Sequence, residues 1–159
     1  MNLSEAQHLA KALMKDFGIE DKGWRFAWDN AKRRHGQTRF ATKTISLSRP
    51  LTQINEDAVV ENTIRHEIAH VLAGPSHGHD ATWRAFARQC GAKPERCCSE
   101  GVGVEAPIEG RCSNPRCAHV HPRHRMPKAG VKHICAAPAC QSAPRDVRII
   151  TWTRARSAR

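Results

Sequence analysis

The chain of 159 residues contains no tyrosine, and aromatic residues make up only 5% of it. A phenol is therefore unavailable as a proton donor or as a group that polarises a carbonyl, and any such role falls to His, Arg or Lys. Long apolar runs are also missing, which excludes a membrane-spanning helix of the ordinary kind. The first segment, MNLSEAQHLAKALMKDFG, is amphipathic and carries acids, without the basic flank and apolar stretch of a secretory signal. The expected location is cytoplasmic and reducing, where seven cysteines read as thiols or metal ligands rather than a disulfide framework.

Acidic residues are scarce in one region only. Residues 1–110 hold 15 basic and 14 acidic side chains, whereas residues 111–159 hold 11 basic ones and a single acid, Asp146. Nearly all of the +11 net charge thus sits in the tail. Such asymmetry points to a polyanionic partner, nucleic acid foremost, bound through phosphates without sequence readout. The tail also lacks apolar periodicity and has five prolines, at 115, 122, 127, 138 and 144. It cannot bury much.

Along the body, Ser4 is placed to cap a helix in which Leu3, Ala6, Leu9, Ala10, Leu13, Met14 and Phe17 recur at helical spacing up to Gly18. Residues 24–28 alternate as a strand does, and Gln37 to Leu47 reads as a longer strand or hairpin arm. Ser48-Arg49-Pro50 breaks it. Asn55 is the expected cap of a long helix from about Glu56 to Ala73, stopped by Gly74-Pro75. Asp80 then caps a helix with Trp83, Phe86, Ala87 and Cys90 on one face, ended by Gly91. Residues 93–110 read as a linker, Val147 to Trp152 as a short strand, and residues 153–159 as a frayed terminus.

The chemistry lies in the long helix, where His66-Glu67-Ile68-Ala69-His70 is H-E-x-x-H. Residues i and i+4 share a helical face, so His66 and His70 can meet one zinc ion while Glu67 reaches water bound to it. Ile64, Ile68, Val71 and Leu72 make this helix apolar enough to be buried, and buried imidazoles need partners that a metal supplies. A third ligand is expected at His79, just before a helix cap, with His77 the other candidate. For the group that polarises a carbonyl, His77 or Arg65 is the expectation.

These residues resemble the SprT-like zinc metalloproteases, which include the Spartan proteases that degrade DNA–protein crosslinks. The likeness rests on His66 to His70, on Gly78-His79 followed four residues later by Trp83, and on the strand Arg39–Leu47 leading into Ser48-Arg49-Pro50. It covers roughly residues 3–92. The resemblance implies an α+β fold with a small zincin-like catalytic domain, residues 1–92, in which the H-E-x-x-H helix packs on a few-stranded sheet. It implies His66, His70 and His79 as ligands of a catalytic zinc and Glu67 as the catalytic base. Asp80 stands where the family often has Gly.

The tail carries a second constellation. Cys112-x4-Cys117 and Cys135-x4-Cys140 form two pairs, as a tetrahedral four-thiolate zinc site requires, and Pro115 and Pro138 sit at the same offset in the two gaps. A segment this polar would be ordered by a structural zinc, which contributes on the order of 10–16 kcal/mol in small metal-folded peptides, or not at all. Residues 111–152 are therefore expected to form a basic zinc-ribbon-like module. Arg123, Arg125, Lys128 and Lys132, between the cysteine pairs, are the expected nucleic-acid contacts. Cys90 reads as helix core, and Cys97 and Cys98 receive no role.

The function that follows is a zinc-dependent endopeptidase acting on proteins bound to nucleic acid, with hydrolysis by a water that Glu67 activates on the zinc. Two other classes share these residues: a DNA-binding accessory or regulatory protein with little proteolysis, and a repressor-cleaving H-E-x-x-H protease. No membrane is expected as a partner.

Overall fold

The computed structural model describes residues 1–95 and 101–155. Cys97, Cys98 and residues 156–159 of the expected frayed end lie outside the described residues. The chain divides into two compact units, Met1–Val104 and Glu105–Arg159. The whole is α+β.

In the first unit, α1 (Leu3–Asp16) buries Ala6, Ala10, Leu13 and Met14, a stripe at three- and four-residue spacing. Its cap is Asn2, not Ser4: the Asn2 side-chain oxygen accepts the Glu5 N–H at 2.9 Å. Strands β1 (Arg25–Asp29), β2 (Gly36–Arg39) and β3 (Thr44–Ser48) form one sheet in the order β1-β3-β2, with β1 parallel and β2 antiparallel to β3. The stretch from 37 to 47, expected as a longer strand or a hairpin arm, is thus a hairpin. Phe40–Thr42 turn as a 3-10 helix and Lys43 takes a left-handed conformation at φ 45°, reversing the chain between β2 and β3.

Ser48-Arg49-Pro50 ends β3 but also begins α2 (Arg49–Ile54), which sequence reading missed. Ser48 Oγ accepts the Leu51 N–H at 3.2 Å and Pro50 lies in the first turn, where its missing N–H costs nothing. The long helix is α3 (Asp57–Ala73), with Glu56 at its cap position and no side-chain cap bond. Asn55 therefore does not cap it. Its amide donates to the carbonyls of Leu51 and Val102, both at 2.8 Å, while its oxygen accepts the Val102 N–H. Asn55 thus holds both backbone polar groups of Val102 as a neighbouring strand would.

Helix α4 (Ala81–Gln89) begins as expected, with Asp80 Oδ1 accepting the Trp83 N–H at 3.0 Å, and ends at Cys90 and Gly91. Helices α1 and α3 contact the sheet and α4 packs on α3. Ile45, Leu47, Ile64, Ile68, Trp83 and Cys90 are all essentially inaccessible in the core between them.

The second unit is a three-stranded antiparallel sheet, β4 (Ile108–Cys112), β5 (Val120–Arg123) and β6 (Ile150–Arg154), in the order β5-β4-β6. Its last strand lies later than the apolar run suggested, because Arg145–Arg148 turn as a 3-10 helix. Gly110 in β4 is required by packing: a Cβ there would stand 2.5 Å from Ile150 and 2.6 Å from the Trp152 ring.

Candidate metal centres

Helix α3 sets two imidazoles one turn apart, and the loop after it returns His79 to them. Each Nε2 of His66, His70 and His79 lies 3.2 Å from the other two. Tetrahedral ligands with bonds of about 2.0–2.1 Å stand about 3.3–3.4 Å apart, so this triangle has the size of three zinc ligands. Hydrogen bonding alone does not account for it. A neutral imidazole has one N–H and cannot aim it at two neighbours, whereas one cation satisfies all three lone pairs.

Burial, then the neighbouring imidazoles, hold His66 down to about 3; burial and His79 hold His70 down to about 4. Both are neutral and able to ligate at ordinary pH. Trp83 is fully buried beneath the triad, its ring centroid 4.7, 5.2 and 4.5 Å from those of His66, His70 and His79. The helix that Asp80 caps thus supplies the floor on which the three rings rest.

Glu67 is buried, and burial pushes its carboxyl up to about 7, against the hydrogen bond from Thr38 and the charge of Arg34. Thr38 Oγ lies 2.8 Å from Glu67 Oε2 and 2.9 Å from the Glu67 carbonyl. Strand β2 approaches so closely that a Cβ on Gly36 would stand 2.8 Å from Glu67 Cγ and 2.9 Å from Thr63 Cγ2. Only glycine fits there. Sequence reading missed both Gly36 and Thr38; the one available signal was a glycine opening a β-branched stretch.

The His triad and Glu67 open onto a cleft of about 460 Å³ that is also lined by Arg33, Arg34, His35 and residues of β2. Neither expected carbonyl-polarising residue lines it. Arg65 is turned away: its Nε and Nη2 bind Glu61 Oε1 at 2.8 and 2.6 Å, and its Nη1 donates to the Cys90 carbonyl at 2.8 Å. His77 pairs with Asp80 Oδ2 at 2.8 Å in the loop. Arg65 instead ties α3 to the end of α4, a role its place beside His66 concealed.

In the second unit, Cys112, Cys117, Cys135 and Cys140 converge. Cys112 and Cys140 sulfurs are 3.6 Å apart and those of Cys117 and Cys135 3.8 Å, near the roughly 3.8 Å edge of a tetrahedron with zinc–sulfur bonds of about 2.3 Å. The matching prolines do mark matching turns. The Cys117 N–H donates to the Asn114 carbonyl at 2.9 Å and the Cys140 N–H to that of Ala137 at 2.8 Å, each carbonyl belonging to the residue before the proline. Hydrogen bonding with Cys117, then burial and the other two thiols, pushes Cys140 up to about 12. Four sulfurs this close could hold a metal ion, which would stabilise them as thiolates. His121 lies beside this group, with Nε2 3.2 Å from Cys135 Sγ.

The residues expected to meet nucleic acid are exposed. Arg125, Lys128 and Lys132 lie in the segment between β5 and Cys135. Arg123, at the end of β5, stacks over Trp152 at 5.1 Å and lies 3.2 Å from His133 Nε2.

A mixed α+β unit here turns three imidazoles that could hold a metal ion, together with a buried carboxylate, onto one cleft. The SprT-like family model matches residues 5–102, more than half of the chain, and the chain belongs to that family. The family is associated with metalloprotease activity, and both clusters are compatible with zinc. No curated protein and no solved structure is a match for the chain. Among the described residues no helix is long and apolar enough to cross a membrane.

Proposed function

We propose that the chain is a zinc-dependent endopeptidase that acts on proteins bound to nucleic acid. The observation that carries this reading is the buried Glu67 carboxylate beside three converging imidazoles on an accessible cleft. His66, His70 and His79 would hold the zinc, and Cys112, Cys117, Cys135 and Cys140 a second one. The first ion, when bound, supplies Lewis acidity toward a water molecule and a carbonyl oxygen.

The rest is done by the chain. Thr38 tethers one carboxylate oxygen of Glu67, so that the group is oriented to take a proton from the attacking water and return it to the departing amine. Strand β2 is an edge strand whose residues line the cleft. An extended peptide can pair with that edge and lie past Glu67, a recognition that uses main-chain hydrogen bonds and asks little of sequence. In this reading the tail confines a weakly selective protease to its substrates, with Arg123, Arg125, Lys128 and Lys132 on phosphates.

The test is cleavage of casein and of a DNA-binding protein by the wild type and Glu67→Gln, with and without single- and double-stranded DNA. Glu67-dependent cleavage stimulated by DNA and weakened by salt supports the proposal. Zinc-loaded protein with no Glu67-dependent cleavage under any condition leaves a DNA-binding accessory role, and cleavage indifferent to DNA and salt leaves a protease directed by a protein partner.

A further inference from the structure

The loop between β1 and β2 carries Lys32-Arg33-Arg34, three successive cations in a unit whose charges otherwise nearly balance. Arg33 and Arg34 line the same cleft as His66, Glu67, His70 and His79. Arg34 is anchored there: its Nη2 lies 2.6 Å from Asp29 Oδ2, which also accepts Ser46 Oγ–H at 2.8 Å, while Asp29 Oδ1 accepts the Ala31 N–H at 2.9 Å. A carboxylate held by three groups fixes one edge of the guanidinium and leaves its other donors available. Arg33 is exposed and has no ion-pair partner among the described residues. Among the described residues, the only carboxylate in the lining is Glu67.

We propose that Arg33 and Arg34 form a subsite for an acidic side chain, so that the cleft prefers polypeptides carrying Asp or Glu close to the cleaved bond. This rests on the peptidase reading above. Arg34, already compensated by Asp29, gives the subsite its fixed geometry, and Arg33 gives it net charge. A guanidinium meets a carboxylate through two parallel hydrogen bonds, which favours Glu over its isostere Gln and penalises Lys by like charge. A duplex presents its phosphates over a broad face, whereas these two residues line a cleft that runs to the ligand triad, so an extended peptide is the occupant they suit.

The experiment uses zinc-loaded full-length protein and matched fluorogenic peptides in which Glu, Gln or Lys is placed in turn at each position flanking the cleaved bond. At one position kcat/KM for Glu should exceed that for Lys by about tenfold or more, with Gln between, as expected for a partly exposed charge-assisted pair. Arg33→Glu should reverse the Glu-to-Lys ratio at that position, and Arg34→Gln should shrink it. The same peptides are titrated by fluorescence anisotropy against zinc-loaded Glu67→Gln, in which binding is read without turnover. Tighter binding of the Glu peptide, lost when Arg33→Glu is added, supports the subsite even if no peptide is cleaved, in which case it is the peptidase reading that fails. Equal binding of Glu and Lys peptides overturns the subsite, as does an Arg33→Glu variant that loses DNA binding while its peptide preference is unchanged.

Discussion

The two units reach order by opposite routes. The first buries sixteen apolar residues in one cluster, from Ala6 to Ala92, whereas the described cluster of the second comprises only Cys135, Ala137, Cys140 and Ile150. Two of those four are themselves candidate metal ligands. At about 25 cal/mol per Å² of apolar surface, the first can fold on burial and leave its candidate metal site free for chemistry, while the second has little to bury, and in the proposed reading a cation on its four cysteines would supply the order. The same element, if zinc occupies both, would then be a reagent in one unit and a scaffold in the other.

Removing the tail ligands should break this comparison most sharply. Cys140→Ser should unfold β4 to β6, a loss on the order of the 10–16 kcal/mol that structural zinc contributes in small domains. Metal analysis should fall by one zinc per chain and limited proteolysis should cut within 105–155, with α1 to α4 protected. An intact tail in Cys140→Ser would show that burial orders both units alike.

Next in size, Glu67→Gln should lower kcat by about 10²–10⁴-fold, the range for a positioned general base, while zinc content stays the same. Trp83→Ala should cost about 3–5 kcal/mol of first-unit stability, seen in chemical denaturation, because a fully buried indole leaves a cavity under the three imidazoles. The tail should keep its own zinc in that variant. Gly36→Ala should cost about 1–3 kcal/mol and reduce kcat, since the new methyl can be admitted only by moving Glu67 or Thr63.

The smallest effect concerns Asp29. Burial raises its pKa, but hydrogen bonds from Ala31, Ser46 and Arg34 outweigh it and hold the carboxyl below the usual range. A depressed carboxylate stabilises the fold above its unfolded pKa of about 3.9, and that contribution is lost as pH falls through the folded value. Asp29→Asn should therefore flatten the acid limb of first-unit stability below about pH 4, measured by thermal unfolding across pH, with no change in the metal dependence of the tail.

Much of this site was legible because its parts are close in sequence. His66, Glu67 and His70 lie within one helical turn, so their common face follows from the 3.6-residue period, and Asp80 fixes the return of His79 through a cap bond of local range. The two cysteine turns are likewise local, each closed across a proline. What was not legible depends on partners far along the chain. Thr38 meets Glu67 across 29 residues and Asn55 meets Val102 across 47, and neither spacing has a period to betray it. Arg65 illustrates the converse: next to a ligand in sequence, it is drawn to Glu61 and the end of α4 by geometry.

By itself, then, the amino-acid sequence determined the candidate ligand sets, the candidate base and the contrast between a balanced body and a basic tail, because these are matters of residue type, short spacing and count. The tertiary structure alone decided that β2 folds back as an edge strand, bringing Gly36 and Thr38 to Glu67 and Arg33 and Arg34 to the cleft. Strand pairing joins residues at any separation, so the chemistry it assembles becomes visible only when the chain has closed on itself.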